Sequence, residues 1–236
     1  MPKQLSASIV IPAYNEEKYL RFTLLALKKQ SFTDFEVIVV DNASTDNTAK
    51  VAKLFGARVV REDRKGVSYA RNAGAEAANG KVLIFIDADT TASTDLVKAY
   101  VDAFKEKVVA ATGPILPLEK TGKLMEAEYK AVSVFFVKSA IKLGRPSIIG
   151  SNFAVLADSF KKAGGFDVKL KTYEDWDLSM RLKKLGKIVY VDDAVAKTSA
   201  RRIMKWGVLK YAKYHVGNVL RYNITKKPKE NYEDIR

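Results

Sequence analysis

KVLIFIDAD, residues Lys81 to Asp89, contains the most informative pattern in this chain. Val82 to Ile86 form an unbroken β-branched and aromatic run, which predicts a strand buried on both faces because neither face of such a strand tolerates water. Asp87 and Asp89 follow at its carboxyl end. In an open α/β sheet, ligands bind at that edge, in the crevice between strand ends and helix N-termini. The pattern therefore predicts a ligand site at the end of a central strand.

The two acids of this stretch point to a bound cation. Residues two apart in an extended chain face the same way, and two neighbouring carboxylates are costly unless a proton or a cation separates them. A hard divalent ion, Mn²⁺ or Mg²⁺, shared with the phosphates of a substrate, meets that need with oxygen ligands. For an isolated D-x-D there is also a structural alternative, in which Asp87 starts a turn and Asp89 caps the next helix.

Strand and helix patterns alternate before this stretch. The first strand is expected to stop at Pro12, which cannot donate to a ladder, and Asn15 is expected to cap the first helix. Such alternation predicts a parallel sheet with right-handed crossovers. Polar clusters should then meet at one edge, since they follow three strands, at residues 12–16, 41–46 and 87–89.

A second acidic centre, Tyr173-Glu174-Asp175-Trp176-Asp177, begins a predicted helix. Acids in a first helical turn ordinarily serve the dipole or the cap, so each one alone has a structural explanation. Three acids interleaved with two aromatic residues favour a functional site. Asp175 is predicted to face a cleft while Asp177 or Glu174 caps the helix. A partly desolvated carboxylate in such a cleft would have the raised pKa expected of a general base.

Two further amphipathic segments are predicted. One helix runs from about Lys123 to Leu143; core packing is the favoured account of its apolar stripe, and a helix lying on a membrane is the alternative, given its lysines. A basic helix runs from Ile203 to about Tyr222 and contains the only histidine, His215, for which a structural role is expected.

Composition restricts the partners and the compartment. The chain has 41 Lys and Arg against 27 Asp and Glu, a net charge of +14 that favours an anionic partner. The absence of cysteine excludes disulfides, thiolate metal sites and a cysteine nucleophile. No signal peptide and no apolar run long enough to span a bilayer are recognised. We therefore expect a cytoplasmic protein with peripheral contact, at most, at the inner face of an anionic membrane.

Several motifs together resemble one family, the inverting nucleotide-sugar glycosyltransferases of family 2, which have the GT-A fold. The motifs are IVIPAYNEEKYL, VIVVDNASTDNT, GVSYARNAG, VLIFIDAD, GGFD and YEDWDLSMRL, and the resemblance covers about residues 6–205. It implies an α/β, Rossmann-like, mostly parallel central sheet flanked by helices. It also implies a GT-A domain over residues 1–198, with a nucleotide-binding half (1–90) and an acceptor-binding half (91–198), followed by a basic C-terminal helix and tail (199–236).

The resemblance also implies a role for individual residues. Asp175 is expected to be the catalytic base, with Glu174 beside it, and Asp89 and Asp87 to hold the metal. Arg71 is expected to approach the diphosphate. The nucleotide sugar is expected to contact Pro12, Ala13, Tyr14, Glu16, Asp41, Arg71, Asp87 and Ala88, and the acceptor Asn152, Trp176, Arg202 and Trp206.

Two departures from related sequences are visible. Residues Arg202 to Trp206 resemble the Q-x-x-R-W signature of processive members, with Arg for Gln and Lys for Arg, which weakens the case for processive synthesis. The first half also resembles the polyprenyl-phosphate sugar synthases, but Thr91 stands where that subgroup often has Gln.

The expected function is metal-dependent, inverting transfer of a sugar from a nucleoside diphosphate sugar to an acceptor hydroxyl or lipid phosphate. The acceptor would be a glycan or a lipid-linked molecule. Proteins that bind nucleic acid usually show aromatic stacking platforms or a basic recognition helix, and the basic helix after Arg201 is the single candidate here. No nucleic acid partner is therefore expected. One alternative is a sugar-nucleotide-forming nucleotidyltransferase, which normally opens with a glycine-rich basic loop where this chain has PAYNEE. A non-catalytic anion-binding or nucleic-acid-binding protein and a degenerate transferase are the others.

Overall fold

The computed structural model describes residues 4–120 and 122–207, together with residues 210, 213, 214, 217, 221 and 225. His215, most of the predicted helix after Gly207 and the C-terminal tail lie outside the described residues. No helix in the described part of the chain combines the length and the apolar content that crossing a bilayer requires.

A seven-stranded sheet forms the centre of the molecule, in the strand order β3-β2-β1-β4-β8-β6-β9. Its strands are parallel except for β8, which runs antiparallel to both of its neighbours. The predicted α/β fold with a mostly parallel sheet is confirmed. The strand bounds are β1 (Ala7–Ala13), β2 (Phe35–Asp41), β3 (Arg58–Arg61), β4 (Val82–Ile86), β6 (Val108–Thr112), β8 (Asn152–Leu156) and β9 (Lys187–Tyr190).

A second, three-stranded sheet joins segments from both halves of the chain, in the order β5-β10-β7. It consists of β5 (Thr90–Ala92), β7 (Ile115–Pro117) and β10 (Ala196–Thr198). The sequence did not predict β5 or β7, because three-residue strands are too short to show a period. This small sheet begins directly after Asp89 and therefore continues the ligand edge of the main sheet.

Helices cover both faces of the main sheet, and alternate residues of its strands face different helices. On one face Ile84 and Ile86 of β4 pack with α1, α2 and α4. On the other face Leu83 and Phe85 pack with α3, α7 and α8. The helix bounds are α1 (Leu20–Leu27), α2 (Thr48–Leu54), α3 (Val67–Ala77), α4 (Leu96–Ala103), α5 (Lys123–Lys130), α6 (Val137–Lys142), α7 (Ala157–Lys162), α8 (Glu174–Leu182) and α9 (Arg201–Trp206).

Two predictions at the end of β1 are wrong. The strand continues through Pro12 to Ala13; β1 pairs with β4 only as far as Val10, so the missing N–H of Pro12 falls beyond that ladder. Asn15 does not cap α1, which starts at Leu20. Its side chain instead accepts a hydrogen bond from the Thr45 N–H, which ties the end of β1 to the loop after β2.

The long amphipathic helix predicted from Lys123 is present but irregular. A π-helical segment, Ala131–Phe136, separates α5 from α6. The predicted apolar stripe of this helix includes Met125, Tyr129, Val132, Phe135 and Phe136. Core packing holds for Tyr129, which is buried, and for Met125, which packs half-buried against it, and fails for Phe135 and Phe136, which are exposed.

Candidate active site

Three loops meet at one edge of the main sheet, as the sequence predicted. Strands β2, β1 and β4 are neighbours and run parallel, so their carboxyl ends lie side by side. The loops tie to one another: the Ser44 hydroxyl accepts from the Asn15 N–H at 3.0 Å, and the Thr48 hydroxyl accepts from the Glu16 N–H at 2.8 Å. The loops after β1 and β2 are therefore held together at this edge.

Asp87 and Asp89 lie in a turn and not in the extended segment that the sequence argument assumed. The Thr90 N–H donates to the Asp87 carbonyl at 3.0 Å, so the chain reverses after β4. Asp87 starts this turn, as the structural alternative held. Asp89 does not cap the next helix, because β5 follows it and α4 begins only at Leu96. The two carboxylates consequently pair with different cations.

Arg71 joins the two acidic centres. This buried side chain on α3 donates to Asp87 Oδ1 at 3.0 Å through Nη2, and to Glu174 Oε1 at 2.8 Å through Nη1. Nη2 also donates to the Gly150 carbonyl at 3.0 Å. Burial opposes the charge of Arg71, but Asp87, Glu174 and Asp175 outweigh it and raise the Arg71 pKa. The Arg71 guanidinium therefore joins the acid after β4, Asp87, to the acid at the start of α8, Glu174.

Asp175 is held beside this guanidinium by backbone donors. Its Oδ2 accepts the Gly150 N–H at 3.1 Å, and its Oδ1 accepts the Trp176 N–H at 2.8 Å. A methyl group built on Gly150 would lie 3.0 Å from Arg71 Nη2 and 3.2 Å from Asp175 Oδ2. Burial raises the pKa of Asp175, against the lowering effect of Arg71 and the backbone donors. A side chain at residue 150 would therefore require Arg71 or Asp175 to shift slightly.

Glu174 and Asp177 have separate tasks in the same helical turn. Glu174 is buried against Arg71, and burial followed by the charge of Asp175 raises the Glu174 pKa to about 7. Asp177 pairs with Arg181 at 2.6 Å, one turn along the helix. The residue before the helix, Tyr173, has a left-handed backbone with φ of 69°, which is uncommon for an aromatic residue and is concentrated at functional sites.

Arg201 is a site residue that the sequence reasoning missed. Its Nη2 lies 2.5 Å from Glu16 Oε1 and 2.9 Å from Asp89 Oδ2. Its guanidinium also lies over the Tyr19 ring, 4.8 Å from the centroid. Nothing in the sequence distinguishes Arg201 from its neighbour Arg202, since both follow a short strand in a basic run. Arg201 is recognised as a site residue only in the structure, where the chain after β10 passes beside Asp89.

Asp89 is the most perturbed acid on the donor side. Burial and the nearby charge of Asp87 raise its pKa to about 7, although Arg201 acts in the opposite direction. Within the described part of the chain, no group of three or more His, Cys, Asp or Glu residues is arranged to hold a metal ion.

The predicted nucleotide contacts line the neighbouring loops. Lys65 lies over the Tyr14 ring, with Nζ 4.8 Å from the centroid. Asp41 pairs with Arg61 at 2.6 Å and also accepts the Ser44 N–H. Pro12 is half-buried and Glu16 is buried against Arg201, while Ala13 and Ala88 are buried and have their carbonyls occupied by Asn42 and Thr23.

One of the four predicted acceptor residues lies inside the molecule, and its contact with an acceptor stays a prediction. Asn152 is fully buried, and its amide nitrogen donates to the Pro114 and Ala194 carbonyls. Its task is to join the two sheets, because a buried amide must satisfy its own donors.

The remaining acceptor residues are partly exposed and belong to an aromatic cluster. The Trp176 ring lies 6.5 Å from Tyr173, and the Trp206 ring lies 5.4 Å from Tyr214. Arg202 lies over Trp206 at 5.8 Å. Their contact with an acceptor stays a prediction.

Comparison with known proteins agrees with this architecture. The family model for glycosyl transferase family 2 matches residues 8–164, more than half of the chain. The amylovoran biosynthesis glycosyltransferase AmsB from Erwinia amylovora is 26% identical over 249 residues, which cover 94% of this chain and 76% of AmsB. The uncharacterized glycosyltransferase YfnE from Bacillus subtilis is 38% identical over 110 residues, covering 44% of this chain and only 28% of YfnE.

Two solved glycosyltransferases share the fold at low sequence identity. The mannosyltransferase PcManGT from Pyrobaculum calidifontis, in complex with GDP-Man and Mn²⁺, gives a TM-score of 0.72 at 19% identity, covering 97% of this chain and 67% of that chain. TarS 1-349 from S. aureus, in complex with UDP-GlcNAc, gives 0.66 at 21% identity, covering 96% and 68%. These results favour a transferase over the nucleotidyltransferase and the non-catalytic alternatives. The chain belongs to glycosyltransferase family 2 and has its GT-A fold.

Proposed function

We propose that this chain transfers a sugar from a nucleoside diphosphate sugar to an acceptor hydroxyl or lipid phosphate, in one displacement that inverts the anomeric centre. The observation that carries the proposal is the position of Arg71 between Asp87 and Glu174. It brings the donor-side acids and the base-side helix to one pocket. Holding two reactants in such a pocket supplies much of the rate acceleration of a bimolecular transfer.

Asp175 is the general base of the proposed reaction. Its pKa is raised, it is only half-buried, and its orientation is fixed by the Gly150 and Trp176 N–H groups. As the acceptor hydroxyl attacks the anomeric carbon, Asp175 takes its proton, while the nucleoside diphosphate leaves from the opposite face. No covalent sugar–enzyme intermediate is required. Glu174 is then a positioning residue, since its carboxylate holds Arg71.

The donor-side residues fit a divalent cation, Mn²⁺ or Mg²⁺. Asp87 and Asp89 offer partly exposed carboxylate oxygens at a strand end, and burial together with the charge of Asp87 raises the Asp89 pKa. The diphosphate oxygens of the donor would supply further ligands to that cation. A bound cation would neutralise charge on the leaving diphosphate. The Mn²⁺ and GDP-Man in PcManGT support this assignment.

The nucleotide is proposed to lie across the ends of β1 and β2. Tyr14 with Lys65 offers a flat, cationic surface for a base, and Asp41 offers a carboxylate for a ring N–H. Pro12 and Glu16 border the same pocket, and Ala13 and Ala88 offer only backbone. Arg71 reaches the diphosphate only if it gives up a protein carboxylate, so its direct contact there stays a prediction.

The halves, compartment and acceptor are also proposals. Strands of residues 1–90 and of residues 91–198 share the main sheet. That these are a nucleotide-binding and an acceptor-binding half, with a basic C-terminal element over 199–236, stays a prediction. The charge of +14 supports a cytoplasmic protein at an anionic membrane and a glycan or lipid-linked acceptor. Nucleic acid is not a proposed partner.

A thermal-shift screen tests donor binding. UDP-, GDP- and dTDP-sugars are added with and without Mn²⁺, and a ligand of the folded protein raises the melting temperature. One donor should give a shift that Mn²⁺ enlarges, and Asp89→Asn should lose the Mn²⁺-dependent part. Asp102→Asn, an exposed acid paired with Lys98 on α4, is the matched control. No shift with any donor, or an undiminished Mn²⁺ effect in the Asp89 variant, contradicts the proposal.

A further inference from the structure

An apolar groove of about 610 Å³ lies beside the small sheet, away from the nucleotide pocket. Its floor comes from β7 and the segment before β10, and its wall from the π-helical segment and α6. Pro114, Leu116, Val134 and Phe135 supply apolar lining, and Lys138 and Lys142 supply the charged positions. None of these residues has a task in the proposed transfer.

The wall of the groove carries unusually exposed aromatic side chains. Phe135 is 68% exposed and Phe136 is 61% exposed, and their rings contact each other edge to face at 5.8 Å. Leu143, just after α6, is 79% exposed. Adjacent exposed aromatic residues on one surface mark an interaction site. The π-helical geometry of the segment is itself concentrated at functional sites in proteins.

The charges around the groove select the partner. Lys142 is exposed, Lys138 pairs with the exposed Asp192 at the surface, and Lys197 of β10 is exposed in register with Leu116. An apolar groove with cationic flanks complements a molecule with a hydrocarbon chain and an anionic head. The net charge of +14 acts in the same direction.

The groove also connects to the candidate active site through the small sheet. Val195 lines the groove, and the Ser199 N–H donates to the Asp89 carbonyl at 3.1 Å. Four residues of extended chain span roughly 13 Å. The groove is therefore separated from the candidate active site by one short strand.

We propose that the apolar groove and the Phe135–Phe136 pair form a docking surface for the anionic lipids of a bilayer, with one hydrocarbon chain in the groove and its phosphate directed toward the active site. The two phenylalanine rings enter the bilayer, and Lys138 and Lys142 meet its phosphates. That the lipid in the groove is also the acceptor rests on the proposed function; the docking itself does not.

Vesicle co-sedimentation of the full chain tests the docking. Wild type should bind vesicles of phosphatidylcholine with phosphatidylglycerol, and bind phosphatidylcholine vesicles far more weakly. Phe135→Ser with Phe136→Ser should lower the affinity at least about tenfold, as should Lys138→Gln with Lys142→Gln. Leu54→Ser is the matched control, because Leu54 is 82% exposed on α2, outside the proposed surface.

Several outcomes overturn the docking. These are wild-type affinity in the phenylalanine variant, an equal loss in the Leu54 variant, equal binding to both vesicle types, or a wild-type dimer in solution that does not bind vesicles. The donor thermal shift, measured on the same variants, separates this inference from the proposed function. A retained donor shift with unaltered vesicle binding rejects only the docking surface, and absent donor shifts with the expected vesicle losses reject only the proposed function.

Occupancy of the groove is tested with decyl phosphate below its micellar concentration. Calorimetry should detect its binding to wild type, while inorganic phosphate alone gives no heat. Ala131→Trp, at an exposed lining position, should fill the groove and abolish binding while the melting temperature stays near wild type. Equal affinity of decyl phosphate for wild type and for the Ala131 variant overturns the assignment of a chain to the groove.

Discussion

At the scale of single residues, the site contains more acids than cations. Asp87, Glu174 and Asp175 surround Arg71, while Asp89 and Glu16 share Arg201. Buried like charges raise one another's pKa, because each penalises ionisation of the other. Burial is the main cause of the pKa values of about 7 for Asp89 and Glu174, and the neighbouring acids raise both values further. A site of this kind is prepared for a cation on one side and for a proton on the other.

The raised pKa of Glu174 makes the unfolding free energy depend on pH. Its pKa is 4.5 in an ordinary setting and about 7 in the folded protein, so the folded state holds a proton that the unfolded chain has released. Its contribution to the unfolding free energy is therefore present below pH 4.5 and is lost as the pH rises to about 7. Glu174→Gln should reduce this pH slope by roughly 1 kcal/mol per pH unit. Urea unfolding at several pH values within the window measures the slope, and an unchanged slope in the variant contradicts the assignment.

Arg201 is expected to act as a built-in countercharge for the donor-side acids. Arg201→Gln removes the cation between Glu16 and Asp89, and should lower the unfolding free energy by roughly 1–3 kcal/mol, the range for charged hydrogen bonds. Mn²⁺ should then raise the melting temperature of this variant more than that of wild type, because the acids lack their internal cation. Arg202→Gln, which removes the group over Trp206, is the control. An equal Mn²⁺ effect in both proteins would falsify the countercharge role.

At the scale of elements, α3 places Arg71 through its close contact with the sheet. A Cβ atom on Gly74, one turn after Arg71, would lie 2.3 Å from Val10 Cγ1 and 2.9 Å from Val40 Cγ2. These are buried core side chains that cannot withdraw. The helix must therefore have glycine at this position in order to lie close enough for Arg71 to reach both acids.

Gly74→Ala separates packing from helix propensity. Propensity alone predicts a gain of about 1 kcal/mol for alanine in a helix interior. Overpacking of the core costs about 1–3 kcal/mol, so we expect a net loss of stability together with weaker donor binding. Chemical denaturation of this variant beside Glu76→Ala, an exposed change on the same helix, measures the difference. A stabilised Gly74 variant contradicts the packing account.

The sequence was sufficient for elements with strong patterns. The apolar run of β4 and the acids at the start of α8 each follow from local chemistry, and the structure has a strand and a helix at these places. The sequence did not predict local structure correctly where pairing with a distant segment decides it. Thr90 to Ala92 is a strand only because β10 returns beside it, and Asn15 is removed from helix capping by the loop after β2. Arg201 reaches Asp89 through the same return of the chain.

At the scale of the whole molecule, the two halves of the chain supply different parts of the candidate site, and these parts meet at one edge of the main sheet. The parallel strands β2, β1 and β4 carry the donor-side loops, whereas β8, β6 and α8 bring the Gly150 segment and Asp175 from the second half of the chain. The antiparallel β8 permits this, since its amino end, after Gly150, lies beside the carboxyl end of β4. Both halves of the chain thereby contribute residues to one site around Arg71.

The central claim is that Asp175 takes the acceptor proton at that site, and turnover of Asp175→Asn at saturating donor tests it most directly. Asp177→Asn, in the same helical turn but paired with Arg181, is the matched control. We predict that the Asp175 variant keeps its donor thermal shift while its turnover falls on the order of 100-fold or more, and that the control stays within a few-fold of wild type. Wild-type turnover in the folded, donor-binding Asp175 variant would contradict the account.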